Sequence, residues 1–142
     1  MLIQCVTNSF RAEMLQGIHD LATDTLKLAL YTGSANLYPT TTAYSATDEV
    51  VASGYTAGGI VLTGVTISTG TASTTDPAVV YVNFNNVVWT AALTARGGLI
   101  YNTSKANRSI AILDFGSDKT STTTFTVQMP ANTASSALLR FP

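Results

Sequence analysis

The stretch Leu26-Lys27-Leu28-Ala29-Leu30-Tyr31-Thr32 decides the fold class, because its apolar side chains alternate as they do in a β-strand. After Gly59 the chain continues in short apolar runs separated by turn residues, a pattern typical of a β-sandwich or barrel. The further predicted strands lie near residues 60–68, 78–84, 87–89, 92–101, 109–115, 123–129 and 137–141. We therefore predict a mainly β fold, a jelly-roll-like or Greek-key β-sandwich of about eight strands.

For residues 1–24, which precede this first strand, we predict an N-terminal arm and a short helix. Ser9 is a residue type that caps helices, and Gly17 offers an early stop. One face of the helix would carry Phe10, Met14 and Ile18. Because about two turns are too short to be stable alone, we expect this helix to dock onto the β-rich part.

Residues 33–59 lack strong periodicity and are rich in Gly, Ser, Thr, Ala and Tyr. An irregular loop of this length is uncommon in a compact domain unless it has a function or is partly helical. We predict a brief helical turn around residues 41–50 and a tight, glycine-dependent bend at Gly54–Gly59.

The composition indicates one domain, residues 1–142, whose surface carries little charge. Hydrophobic residues make up 46% of the 142 residues and charged residues only 11%, with a formal net charge of −1. A typical soluble domain has roughly 25% charged residues. Since charge is one of the properties that keep proteins apart, we expect this protein to function against partners.

The residues that carry chemistry are few and dispersed. His19 is the sole histidine and Cys5 the sole cysteine, which excludes a multi-histidine metal site, a cysteine metal cluster and an intrachain disulfide. The sequence contains neither a G-x-S-x-G nucleophile elbow nor a phosphate-binding glycine loop, and no pair of carboxylates stands out. We predict a non-enzymatic protein with no catalytic residues, no cofactor and no metal. His19 is interpreted as a partly buried hydrogen-bonding residue.

Nucleic acid and membrane are not expected as partners. Lys and Arg are scattered singly, so little counterion-release energy is available for nucleic-acid binding. The longest apolar runs fall short of the roughly 18 residues that a membrane helix needs. The beginning, Met1-Leu2-Ile3-Gln4-Cys5, lacks the basic and apolar regions of a signal peptide, so we expect synthesis in the cytoplasm.

Four blocks of sequence resemble a family of small proteins from tailed bacteriophages. They are Leu15-Gln16-Gly17-Ile18-His19-Asp20 with Thr25–Tyr31, Thr41-Thr42-Ala43-Tyr44 with Glu49 and Gly54–Gly59, Ala95-Arg96-Gly97-Gly98-Leu99-Ile100-Tyr101-Asn102, and Ala111-Ile112-Leu113-Asp114-Phe115-Gly116. Their order and spacing cover roughly residues 9–130. Such proteins are similar to head decoration, or cement, proteins of the virion.

The resemblance implies a jelly-roll-like domain that sits on the outside of a capsid as a dimer or trimer. Its partners would be the phage major capsid protein and other copies of itself, and it would stabilise the head by bridging capsid subunits. It supplies no catalytic residues to carry over. The alternative is a phage tail or fibre component that acts as a receptor- or carbohydrate-binding module.

Two segments are the candidates for contact with capsid or with neighbouring copies: the residues before Ser9 and the 33–59 loop. Both are irregular and low in charge, and tyrosine is a residue type enriched at protein interfaces. For the tyrosines, contact surface and local packing remain equal alternatives. The candidate contact residues are Leu2, Ile3, Val6, Tyr38, Tyr44 and Tyr55.

Overall fold

A computed structural model describes residues 1–76 and 78–142. Within them the chain forms two compact units, one of residues 1–61 and 88–125 and one of residues 62–87 and 126–142. The predicted class is confirmed: the protein is mainly β with one short N-terminal α-helix, and the described residues form ten strands rather than about eight.

The elements follow one another along the chain as β1 Cys5–Val6, α1 Asn8–Leu15, β2 Leu26–Tyr31, β3 Ile60–Val61, β4 Thr66–Thr69, β5 Val80–Asn83, β6 Val87–Trp89, β7 Thr94–Asn102, a 3-10 turn Thr103–Lys105, β8 Arg108–Thr120, β9 Phe125–Val127 and β10 Leu139–Phe141. A five-stranded sheet has the order β1-β8-β7-β2-β3, a three-stranded sheet the order β10-β5-β4, and β6 pairs with β9. Every ladder of the two larger sheets is antiparallel.

Strand β2 lies inside the five-stranded sheet, where Leu28 pairs with Ile100 of β7 and with Ile60 of β3. Both faces of the strand are buried. Leu26, Leu28 and Leu30 are buried on one face, and Ala29 and Tyr31 on the other. The second face is covered because a core cluster forms over it from Leu2, Ala29, Tyr31, Ala35, Leu37, Leu99, Tyr101 and Ile112.

The N-terminal helix begins two residues earlier than predicted. Thr7 is the N-cap, and its hydroxyl accepts a 3.4 Å hydrogen bond from the Phe10 backbone N–H. The prediction that Ser9 caps the helix is wrong: Ser9 lies within the first turn, and its hydroxyl is 3.2 Å from that of Ser109. Gly17, at a φ of +72°, follows the helix end as predicted, because the left-handed conformation suits glycine.

The predicted strand 60–68 is interrupted. It splits into β3 in the first unit and β4 in the second, with residues 62–65 between them. The cause is Gly64, whose φ of +63° is incompatible with a continuous strand. In the second unit β4 then pairs with β5, Ile67 opposite Val82, and β5 pairs with β10.

Candidate contact surface

The N-terminal residues run beside the start of the 33–59 loop. Leu2 forms a parallel bridge with Leu37, in which the Ile3 N–H donates to the Leu37 carbonyl at 3.0 Å and the Leu37 N–H donates to the Met1 carbonyl at 3.1 Å. The Leu2 side chain points into the core cluster and is only 6% exposed. Of the candidate contact residues, Leu2 is therefore occupied by packing within its own chain.

The residues on either side of Leu2 and Leu37 point away from the core, because successive side chains of extended backbone alternate. Met1 is 67% exposed, Ile3 40% and Tyr38 37%. The Tyr38 hydroxyl donates to the Asn36 side-chain oxygen at 3.3 Å, which restrains the ring. We call this surface the Met1–Ile3–Tyr38 patch; it brings together Ile3 and Tyr38, two candidates that are 35 residues apart in sequence.

Val6 lies apart from this patch, on β1 at the edge of the five-stranded sheet. It is half-buried and pairs with Ala111 of β8, while its neighbour Cys5 pairs with Ile112. Cys5 packs against the core cluster, and burial raises the pKa of its thiol. The residues before Ser9 are thus a paired part of the first unit, with the buried Thr7 N–H donating to Ile110.

Tyr44 and Tyr55 converge on Glu49, a buried carboxylate. One oxygen of Glu49 accepts from the Tyr44 hydroxyl at 2.6 Å; the other accepts from the Tyr55 hydroxyl and the Gly58 N–H, each at 2.7 Å. The Tyr55 oxygen also accepts from the Leu30 N–H of β2 at 2.8 Å. For Tyr55, which is buried, and for Tyr44, which is half-buried, the structure shows local packing.

The same network fixes the 33–59 loop onto the sheet. The Tyr31 hydroxyl donates to the Ser45 carbonyl at 2.6 Å, and the Tyr101 hydroxyl donates to the Gly58 carbonyl at 2.7 Å. The Tyr44 ring stacks on that of Tyr101 with centroids 4.7 Å apart. Burial raises the pKa of all four tyrosines, 31, 44, 55 and 101. Their hydroxyls therefore remain protonated donors at neutral pH.

The predicted helical turn at residues 41–50 is wrong. In its place, Ala43 forms an isolated bridge with Arg108, and Glu49 forms one with Tyr31. The predicted glycine bend is confirmed, with positive φ at Gly54, Gly58 and Gly59. Sequence reasoning missed Glu49 as the centre of this loop. The available signal was a carboxylate within a tyrosine-rich, apolar segment, since a buried carboxylate requires hydrogen-bond donors.

His19 lies at the centre of a second buried polar network. Its Nε2 is 2.6 Å from Glu13 Oε2, and its Nδ1 is 3.0 Å from the Asn102 amide nitrogen. Because an amide nitrogen only donates, Nδ1 accepts and Nε2 carries the proton. Arg108 donates to the other Glu13 oxygen at 3.1 Å, and Asn102 donates to Asp24 at 2.7 Å. His19 is thus the hydrogen-bonding residue predicted, and the network around it joins the helix to β7 and β8.

Comparisons with protein-family models, with curated proteins and with solved structures found no match for this chain. Among residues 1–76 and 78–142, no helix has the length and apolar character that crossing a membrane requires.

Proposed function

We propose that this protein is a structural component of a tailed-phage virion that decorates the outside of the assembled head. It is made in the cytoplasm of the bacterial host and binds the major capsid protein and further copies of itself. The resemblance of residues 9–130 to small phage proteins and the low surface charge support the proposal. The observation that carries it is the Met1–Ile3–Tyr38 patch, which concentrates exposed apolar side chains on a fixed backbone.

The patch is suited to binding because its backbone is already ordered. Met1 and Ile3 are held by their bonds to Leu37, and Tyr38 is restrained by Asn36. The Tyr38 N–H also donates to the Thr41 hydroxyl at 3.0 Å. Association costs free energy for every side chain and loop that it orders, so a surface ordered in advance binds with a smaller penalty.

Three exposed side chains give only modest affinity for each contact, and repetition of the contact on a lattice raises the overall affinity. A decorating protein that is linked to several capsid subunits or to other copies gains effective concentration for each further contact. Binding to the assembled shell and not to free subunits then stabilises the shell by mass action. This mechanism requires no catalytic group.

Co-sedimentation with undecorated capsids of the parent phage tests the proposal. The wild-type protein is expected to pellet with capsids at a fixed stoichiometry, and the double variant I3D/Y38D is expected to remain in the supernatant. Leu15→Asp is the matched control, because Leu15 is 91% exposed and lies outside both the patch and the 33–59 loop. If the double variant keeps its circular-dichroism spectrum and pellets as the wild type does, the patch is not the capsid contact.

A further inference from the structure

A polar cleft of about 300 Å³ opens on the second unit, and the capsid-binding proposal makes no use of it. Tyr81 of β5 lies at one side, Thr75 and Asp76 at another, and the turn beginning at Thr133 closes it. The lining residues are Thr75, Asp76, Tyr81, Asn132, Thr133, Ala134 and Ser135. All of them belong to residues 62–87 and 126–142, so the second unit forms the cleft by itself.

Tyr81 is held in the middle strand of the three-stranded sheet. It pairs with Ser68 of β4 on one side and with Arg140 of β10 on the other. Because Ser68 is small, no bulky cross-strand neighbour covers the ring from that side. The guanidinium of Arg140 donates to the Ser135 carbonyl at 2.8 Å, and this bond ties β10 to the turn that lines the cleft.

Asp76 is fixed in orientation by the loop that leads to β5. One of its oxygens, Oδ2, accepts from both the backbone N–H and the hydroxyl of Thr71, at 2.9 and 2.7 Å. The Asp76 N–H in turn donates to the Ser73 hydroxyl at 3.0 Å. The hydrogen bonds from Thr71 lower the pKa of Asp76, so its carboxylate is ionised at neutral pH. Within the described residues nothing donates to its second oxygen, Oδ1, which is therefore the acceptor offered to a ligand.

The opposite wall is a turn with its own internal bonds. The Ala137 N–H donates to the Thr133 carbonyl at 2.9 Å, and the Ser136 N–H donates to the same carbonyl at 3.2 Å. Within the described residues, neither the Asn132 side-chain amide nor the Tyr81 hydroxyl forms a hydrogen bond. The cleft is thus lined by the half-buried ring and the hydroxyl of Tyr81, the second carboxylate oxygen of Asp76 and the Asn132 amide, and these polar groups form no hydrogen bond within the described residues.

The chemistry of these groups selects among ligand classes. Among the described residues, the lining holds the Asp76 carboxylate and no Lys or Arg, and the neighbouring Arg140 guanidinium is bonded to the Ser135 carbonyl, an arrangement that disfavours anions. Among the described lining residues, only the buried Ala134 and the Tyr81 ring are apolar, too few for a lipid or an apolar cofactor. A neutral, polyhydroxylated ring has the complementary features, because its hydroxyls can donate to Asp76 and bond with Asn132 while its C–H face packs on the aromatic ring.

We propose that this cleft is a saccharide-binding site, in which Tyr81 packs against a pyranose ring while Asp76 and Asn132 bond to its hydroxyls. The small contact area of one sugar ring implies a dissociation constant on the order of 1 mM. Many copies on one particle would raise the overall affinity for a polysaccharide by multivalency.

Titration of the ¹⁵N-labelled protein with methyl pyranosides of glucose, galactose, mannose and N-acetylglucosamine tests this proposal by NMR. At least one of these probes is expected to cause saturable shifts in the Asn132 side-chain amide and in backbone amides of residues 132–135. The variants Tyr81→Ala and N132A should each weaken that binding by at least tenfold.

A second variant and a control variant make the titration a decisive test of the cleft. Asn132 is exposed, so N132A tests the site even if Tyr81→Ala disturbs the sheet. Tyr38→Ala is the matched control, since Tyr38 is also a partly exposed tyrosine but lies in the other unit. Absence of saturable shifts with all four probes, or binding that N132A leaves unchanged, would overturn the proposal. The titration uses the protein without capsids, so its outcome is independent of capsid binding.

Discussion

The carboxylate of Glu49 accepts a 2.7 Å hydrogen bond from the hydroxyl of Tyr55, which in turn accepts one from the backbone of β2. This chain of bonds links the irregular 33–59 loop to the centre of the five-stranded sheet. Glu49 also accepts hydrogen bonds from the Tyr44 hydroxyl and the Gly58 N–H, so one buried side chain accepts from three points of the loop. The dihedral angles of the loop are irregular, yet these hydrogen bonds fix its position on the five-stranded sheet.

We expect Glu49→Ala to lower the free energy of unfolding by about 3 to 5 kcal/mol, because three donors lose a buried charged acceptor. Denaturant unfolding followed by tryptophan fluorescence measures the change. The matched control is Asp48→Asn at the preceding position. Asp48 is exposed at a φ of +60°, a conformation that Asn tolerates, so the control should change stability by less than about 0.5 kcal/mol. Equal effects of the two substitutions would contradict this role of Glu49.

We expect the protein to lose stability in alkali. Burial raises the pKa of Tyr31 and Tyr55 above the ordinary value of 10.0, and Glu49 adds to the shift. As the pH rises, these tyrosines therefore ionise at a lower pH in the unfolded chain than in the folded protein. Their contribution to the free energy of unfolding is complete below pH 10. It is lost as the pH rises above 10, by up to about 1.4 kcal/mol per pH unit for each group. Unfolding midpoints at about pH 9 and about pH 11 test this, and Tyr55→Phe should reduce the difference. A midpoint independent of pH would oppose it.

Glycine is required at position 59 for two reasons, a positive φ and close backbone contact. Gly59 has a φ of +79°, and a Cβ there would collide with the Leu28 carbonyl. Gly116 has nearly the same φ, +80°, but nothing lies within 4 Å of its Cβ position. Gly116→Ala should therefore cost only the strain of about 1 to 2 kcal/mol, and Gly59→Ala clearly more, as measured by thermal unfolding. If the two variants melt together, the close approach of Gly59 to β2 is not a constraint.

The N-terminal segment is part of the folded first unit, so substitutions at its buried and exposed positions should differ in their effect on stability. Leu2→Ala removes a buried side chain from the core cluster and should destabilise the protein by about 2 to 4 kcal/mol. Ile3→Ala, one residue along on the exposed side, should cost less than about 1 kcal/mol. Urea unfolding of both variants measures the difference. An arm that is free of the first unit would give two small and similar values.

The fold class could be predicted because strand periodicity is a local property. The alternation in 26–32 fixes β2 to within one residue, and the run at 87–89 is β6 as predicted. That β2 is buried on both faces could not be predicted from its own residues. Its second face is covered by Leu2, Ala35 and Leu37, which lie elsewhere in the sequence and reach it only through tertiary structure.

The exposed residues of the candidate contact surface could be predicted only in part, for a related reason. Exposed and buried residues alternate within the first three positions, so composition marks the segment but not which side chain faces solvent. Pairing of Leu2 with Leu37 decides this, and it depends on a contact between distant segments. The polar cleft of the second unit escaped prediction entirely, because Asp76, Tyr81 and Asn132 are separate in sequence and individually ordinary.

An electron-microscopy reconstruction of the parent virion would show whether this protein decorates the head. We expect density that fits the five-stranded sheet at regular positions on the outside of the capsid, with the Met1–Ile3–Tyr38 patch against the shell or a neighbouring copy. Density that fits this chain in the tail or fibres, with a bare capsid exterior, would contradict it.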